Sequence, residues 1–246
     1  MVAAIDNPIL NGPYDAPSRH FELGTTGPTG EIQDGRRPSE SFIPVPSPRK
    51  GQKGQQALDL DVSGERREKN PLINDIRYEV GLWRQRGYPG VSPISRKLLQ
   101  HWADPTRENR VMFCQREAAE TAIFLSEVSG RHGTTDFRRQ IDPQNDLHND
   151  GLPRIALKMA TGTGKTVVMS MLIAWQTINK VYSPRDARYS KRFLVVTPGI
   201  TIRDRLRVIL PSEETNYYRE RDLVPGDLWG ALREAEIIIA NYHAFL

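Results

Sequence analysis

The chain has 246 residues, a net charge of +4 and a pI near 9.2, which fits one to two domains and is compatible with a nucleic-acid partner without requiring one. The single cysteine, Cys114, excludes an intramolecular disulfide and favours a reducing, cytoplasmic location. The first residues show no basic region followed by an apolar run, so no secretory signal is apparent. The sequence has no apolar run of about 18 residues, so we expect no membrane span.

Residues 1–70 are rich in proline and glycine and contain no tryptophan. Such a composition buries too little apolar surface to offset the entropy of ordering the chain. We therefore predict a disordered or loosely docked tail over residues 1–70. Its basic side chains Arg49, Lys50 and Lys53 either contact nucleic acid or belong to a solvated linker.

Residues 71–130 have the apolar spacing of a helical segment. We predict one helix over 72–86, a second that Ser92 caps and that continues to about residue 103, and a third that opens at Gln115. The polar stretch 131–151 follows, and its composition predicts a surface loop.

Residues 152–246 begin with a strand, a glycine loop and a helix in close succession. Ile155 to Met159 is predicted to be a short buried strand, and the helix that follows the loop is predicted to run from Thr166 to about residue 180. A strand, a glycine-rich loop ending in Lys-Thr and a helix, in that order, are typical of a phosphate-binding loop.

The residue types in this loop suit the phosphates of a nucleotide. Glycine permits positive φ, so the backbone amides of the loop can approach a phosphate closely. Lys165 is expected to bind the β- and γ-phosphates, and the Thr166 hydroxyl to ligate Mg²⁺. The predicted cofactor-binding residues of the loop are Ala160, Thr161, Gly162, Thr163, Gly164, Lys165 and Thr166. Met159 stands where the usual pattern has its first glycine, and a chance turn before a helix is the alternative.

Strands and helices are predicted to alternate along the rest of the chain. The expected strands are 192–197 and 235–241, and the expected helices are 202–210 and 227–235. This alternation predicts an α/β fold with a parallel sheet covered on both faces and ligands at the carboxyl ends of its strands. A doubly wound domain needs further strands, so we expect this chain to be the first part of a longer polypeptide.

Four segments together resemble the motifs of superfamily 2 helicases. Phe113-x-Gln115-Arg116-Glu117 resembles the glutamine motif, and the loop at 160–166 resembles motif I. The segment 195–206 is similar to motif Ia, and 237–245 is similar to the next nucleic-acid motif. The amino-acid sequences of these segments resemble most closely the helicase (Res) subunit of type III restriction enzymes and its DEAD/DEAH-box relatives. The resemblance covers roughly residues 72–246.

This resemblance implies a partial RecA-like P-loop NTPase domain at 152–246 that uses ATP and Mg²⁺. It implies that Gln115 reads adenine, although this residue could simply cap its helix. It implies DNA as partner, with RNA not excluded, and also a modification (methyltransferase) subunit. The implied nucleic-acid contacts are Thr197, Pro198, Gly199, Arg203, Asn241 and His243. The alternatives are a plain turn at 197–199, solvated arginines at 203 and 207, and packing of 241–243 at the edge of the core.

The sequence lacks the Asp-Glu pair of motif II and the motifs of a second RecA-like domain. We therefore expect an ATP-binding, amino-terminal part of an ATP-dependent DNA helicase or translocase that is inactive alone. A small-molecule P-loop enzyme such as a nucleotide kinase is one rival hypothesis. A module that binds nucleotide or nucleic acid without turnover is the other.

Overall fold

The computed structural model describes residues 7–24, 27–44, 65–131 and 133–245. The chain divides into two units, Met1–Tyr78 and Glu79–Leu246, and the boundary falls within helix α1, Pro71–Gln85.

The first unit contains two antiparallel strand pairs. Strand β1, Arg19–Gly24, pairs with β2, Gly27–Asp34, and β3, Glu40–Pro44, pairs with β4, Glu65–Lys69. These strands lie within residues 1–70, for which the sequence predicted a disordered or loosely docked tail.

Strands β1 and β2 depend on backbone pairing more than on a buried core, because none of their residues is buried. The side chains of β2 are half-buried or exposed along its whole length. The composition of residues 1–70 reports only on apolar burial, and backbone hydrogen bonds between neighbouring segments do not depend on it. Residues 45–64, which include Arg49, Lys50 and Lys53, lie outside the described residues.

Helices make up most of the second unit. Before the glycine loop come α2, Pro93–Ala103, α3, Phe113–Glu127, and α4, Phe137–His148. After it come α5, Lys165–Tyr182, α6, Ile200–Arg205, α7, Tyr217–Glu220, and α8, Trp229–Leu232. The predictions of α1, α2, α3 and α5 are confirmed, and Ser92 caps α2 as expected, its hydroxyl accepting from the Ser95 amide at 2.9 Å. Among the described residues no helix is long and apolar enough to cross a membrane.

Helix α4 lies where the sequence predicted a surface loop over 131–151. The Asp136 carboxylate caps its first turn by accepting from the Arg139 amide at 3.1 Å. Phe137 is buried, and its ring lies 6.2 Å from that of Phe124. One buried aromatic residue produces no apolar period, which is why the polar composition indicated a loop. The cap and the aromatic contact stabilise a helix there instead.

The core of the second unit forms around α5. On this helix Met171, Ala174 and Ile178 are completely buried. It packs against α3, α2 and α8, which contribute the buried side chains Leu98 and Ile123 among others. Each such aliphatic side chain contributes about 1.5–3 kcal/mol by its burial. The packing therefore fixes the position of α5 and of the glycine loop that leads into it.

A two-stranded parallel sheet is formed by β5, Arg192–Thr197, and β6, Glu236–Asn241. The predicted parallel pairing is confirmed. The predicted cover on both faces is not, because Leu194, Val196 and Ile238 are 57%, 49% and 66% exposed. Within the part of the chain that the structure describes, one face of this sheet is open.

Residues 152–160 have no regular secondary structure, which corrects the prediction of a buried strand from Ile155 to Met159. Ile155 is 49% exposed, and none of the described strands pairs with this segment. A strand exists only where a neighbour receives its backbone hydrogen bonds. Without such a neighbour among the described strands, an apolar run next to the glycine loop does not make a strand.

Candidate functional site

The glycine loop before α5 has the backbone shape that its sequence predicts. Gly162 and Gly164 have φ angles of +81° and +78°, in the left-handed region that favours glycine. Helix α5 begins directly after Gly164, and the loop residues Ala160, Thr161 and Gly162 are exposed. A sharply turned loop that leads into a helix N-terminus is the arrangement in which backbone amides bind phosphate.

Lys165 and Thr166 occupy the first two positions of α5. The Lys165 ammonium donates to the Ala160 carbonyl at 2.8 Å, and the Thr163 hydroxyl donates to the same carbonyl at 2.7 Å. Because Lys165 is exposed, its ammonium can exchange this carbonyl for an anion at the loop. Thr166 is half-buried beside it.

Gln115 joins helix α3 to the glycine loop. Its side-chain oxygen accepts from the Met112 amide at 3.1 Å, and its side-chain nitrogen donates to the Thr163 carbonyl at 3.0 Å. The residue is buried, and a Cβ atom added at Gly164 would collide with its amide nitrogen. The capping alternative is therefore seen in the structure, together with a contact to the loop that the sequence did not predict.

A buried polar cluster holds α3 in place. The Glu120 carboxylate is completely buried and accepts from Arg84 Nη2 at 2.5 Å and from the Tyr88 hydroxyl at 2.8 Å. Arg84 and Arg116 also lie over the Phe113 ring, at 5.0 and 5.5 Å from its centroid. Burial and then the Glu120 carboxylate raise the pKa of Tyr88 well above its usual range. In the sequence, this cluster is indicated only by a glutamate on the apolar side of α3, and the position of that glutamate does not identify its partners.

The carboxyl ends of β5 and β6 bring two predicted nucleic-acid segments together. Thr197 and Asn241 are partners in the register of the sheet. The Thr197 hydroxyl is buried and donates to the Gly199 carbonyl at 3.1 Å, and the Asn241 side-chain oxygen accepts from the His243 amide at 3.2 Å. Both segments therefore start at one edge of the sheet.

The arginines that follow this edge carry ion pairs at the surface. Arg203 pairs with Asp204 at 3.1 Å, and Arg207 pairs with Glu213 at 2.6 Å. Exposed pairs of this kind contribute about 0–1 kcal/mol, so a phosphate can replace the carboxylate at little cost. Pro198 and His243 are exposed at the same edge.

The residues of the glycine loop fit a nucleotide with its metal ion. The triphosphate can bind to the backbone amides of a loop with two left-handed glycines and to the lysine ammonium. One protein hydroxyl is a sufficient ligand for Mg²⁺, because this ion is held largely by the phosphates and by water. Among the described residues there is no cluster of three or more histidine, cysteine, aspartate or glutamate side chains that could hold a metal ion by itself.

Comparison with known proteins identifies the family. No curated protein and no solved structure matches the chain. Residues 111–245 match the family model described as type III restriction enzyme, res subunit. The match includes Gln115, the glycine loop and both strands of the parallel sheet. Because it covers more than half of the 246 residues, the chain belongs to the family of the type III restriction enzyme res subunit.

Proposed function

We propose that this chain binds ATP and Mg²⁺ at the loop 160–166 and DNA at the β5–β6 edge, as the ATP-binding part of a helicase or translocase. Family membership supports a helicase-like, ATP-binding function. The observation that carries the proposal is the pair of left-handed glycines that leads into α5, with Lys165 at its first position.

In the proposed nucleotide complex, each residue of the loop has a distinct role. The Lys165 ammonium leaves the Ala160 carbonyl and binds the β- and γ-phosphates. The Thr166 hydroxyl ligates Mg²⁺, which neutralises phosphate charge when bound. The Gln115 side chain makes two hydrogen bonds in the structure, which leaves one amide hydrogen to donate and one oxygen lone pair to accept. This donor and this acceptor suit the edge of adenine.

The proposed DNA contacts lie at the edge where β5 and β6 end. Ligands of parallel sheets bind at the carboxyl ends of the strands. The segments 197–199 and 241–243 start at this edge, and Arg203 follows it on α6. Backbone amides and arginines there suit phosphate oxygens, and such contacts position a nucleic-acid strand without reading its sequence. RNA is the alternative strand, and a modification subunit is the protein partner that the resemblance implies.

The test of the nucleotide site is the variant Lys165→Ala, with binding of ATP measured by calorimetry in the presence of Mg²⁺. Removal of one charge-assisted hydrogen bond costs about 2–3 kcal/mol, so affinity should fall roughly a hundredfold. Lys158→Ala is the matched control, since Lys158 is another exposed lysine shortly before the loop. Undiminished ATP binding by Lys165→Ala, or an equal loss in Lys158→Ala, would exclude this site.

A further inference from the structure

The first unit has an open groove with an arginine-rich lining. Four arginines are among its lining residues, Arg19, Arg36, Arg37 and Arg77, and Glu40 is the only acidic residue among them. The groove has a volume of about 470 Å³. We call it the arginine groove. Its excess of positive charge attracts anions.

One wall of the arginine groove is held by Asn11. Its side-chain oxygen accepts from the amides of Ser18 and Arg19 at 2.9 and 3.1 Å, and its side-chain nitrogen donates to the Arg19 carbonyl at 2.9 Å. These bonds tie the wall at residues 8–11 to the start of β1. Arg19 therefore lines the groove from a fixed backbone.

Backbone hydrogen bonds of Ser39 connect the segment that carries Arg36 and Arg37 to the segment that carries Arg77. Its amide donates to the Asn74 side-chain oxygen at 2.7 Å, and its carbonyl accepts from the Asn70 amide at 3.0 Å. Arg77 lies three residues after Asn74 on α1, and the arginines at 36–37 lie just before Ser39. Three sources of positive charge thus have a defined backbone arrangement around one groove.

We propose that the arginine groove binds the phosphate backbone of a nucleic acid, as a second contact outside the region 111–245. The proposal rests on nucleic acid being the substrate of the proposed function. Guanidinium groups match phosphate oxygens with two parallel hydrogen bonds, which a lysine cannot provide. His20 and Phe21 also belong to the lining residues, and unpaired bases stack on aromatic rings. An acidic protein segment would use the arginines but not these rings.

The test uses the whole chain and the variant Arg19→Gln/Arg37→Gln, in which both side chains are exposed. Binding of a labelled single-stranded and a duplex DNA is followed by fluorescence anisotropy over a range of salt concentrations. We expect affinity for the single-stranded DNA to fall about tenfold. The magnitude of the slope of log affinity against log salt should decrease by about 1.4, which is about 0.7 for each of the two phosphate contacts that are lost. The matched control is Arg138→Gln/Arg139→Gln, an adjacent exposed pair on α4.

Two outcomes overturn the groove proposal. An equal loss in the α4 control would mean that only general charge matters. Unchanged DNA binding, with loss of binding to a polyglutamate peptide, would assign the groove to an acidic protein partner. If the glutamine variant does not fold, the variant Arg19→Lys/Arg37→Lys replaces it. We expect this variant to bind the single-stranded DNA more weakly, with an unchanged slope of log affinity against log salt. Wild-type affinity for the DNA would contradict the proposal.

The two proposals fail separately. If Lys165→Ala abolishes ATP binding while the groove variant binds DNA like the wild type, the nucleotide site stands and the groove does not. If the groove variant loses DNA binding while Lys165→Ala binds ATP undiminished, the groove stands and the nucleotide site does not.

Discussion

At the scale of single residues, the Gln115 side chain contacts both the start of α3 and the glycine loop. It accepts from the Met112 amide and donates to the Thr163 carbonyl. A primary amide has two hydrogens and two lone pairs on its oxygen, so one of each remains. Capping of α3 and recognition of adenine, which the sequence presented as alternatives, are therefore compatible.

The variant Gln115→Glu separates support of the loop from nucleotide recognition. The carboxylate still accepts from Met112 but cannot donate to Thr163, so ATP affinity should fall about tenfold because this hydrogen bond is missing. If Gln115 also reads adenine, the preference for ATP over GTP falls as well. Calorimetry with both nucleotides measures this, with the exposed Gln100→Glu as control. Wild-type ATP affinity in Gln115→Glu would contradict the role of the hydrogen bond to Thr163.

Tyr189 gives the second unit a dependence on alkaline pH. It is buried against the edge of Trp175, with ring centroids 6.0 Å apart, and burial and then the Glu127 carboxylate raise its pKa to about 12. An unfolded tyrosine titrates near pH 10. Between about pH 10 and 12 the unfolded chain loses this proton and the folded chain keeps it, so this contribution to stability declines as pH rises.

Tyr189→Phe should therefore flatten the fall in unfolding free energy above pH 10, because the titrating hydroxyl is gone. Urea unfolding at neutral pH and at alkaline pH measures the difference. Tyr182→Phe is the control, since Tyr182 is 57% exposed. An alkaline decline as steep as that of the wild type would show that other groups account for it.

At the scale of elements, the glycine loop contains two positions with the same backbone angle and different surroundings. A Cβ added at Gly162 meets no atom within 4 Å, whereas one at Gly164 collides with the Gln115 amide. Both alanine variants incur about 1–2 kcal/mol of left-handed strain. Gly164→Ala must in addition displace the side chain that joins α3 to the loop.

We therefore expect Gly162→Ala to lower the unfolding free energy by about 1–2 kcal/mol, and Gly164→Ala to lower it further. Gly164→Ala should also weaken ATP binding as Gln115→Glu does. Chemical unfolding and calorimetry on the two variants provide the comparison, with Gly162→Ala as the matched control. Equal losses of stability in both variants would mean that Gln115 moves aside freely.

The elements that the sequence predicted well are those with a long apolar period. Helices α1, α2 and α5 begin and end within a few residues of their predicted bounds, and α3 begins two residues before its predicted start. The errors concern elements that depend on a partner. Helix α4 depends on a side-chain cap, and the strand expected at 155–159 has no neighbour among the described strands.

At the scale of the whole molecule, the residues proposed to bind ATP are distinct from those that its hydrolysis requires. Hydrolysis of ATP needs carboxylates that complete the metal site, an oriented water and an arginine for the developing charge. The chain contains no Asp-Glu pair, and the catalytic arginine that the resemblance implies belongs to a second RecA-like domain. Such an arginine alone contributes on the order of 10³-fold in rate.

Residues 1–246 should therefore bind ATP and show no hydrolysis that DNA stimulates. Phosphate release with and without DNA measures this, and a chain extended through a second RecA-like domain, which should respond to DNA, is the positive control. DNA-stimulated turnover by residues 1–246 that Lys165→Ala abolishes would mean that this chain contains a complete catalytic set.

The sequence by itself determined the backbone shape of the glycine loop, the main helices and the parallel pairing of β5 with β6. The loop and the helices depend on local properties, namely the conformational freedom of glycine and apolar periodicity, whereas the pairing follows from the alternation of strands and helices along the chain. Only the tertiary structure decided that Gln115 contacts Thr163, that Glu120 is held by Arg84 and Tyr88, and that four arginines line one groove. Each of these contacts joins residues far apart in the chain, and local patterns do not determine which distant residues meet.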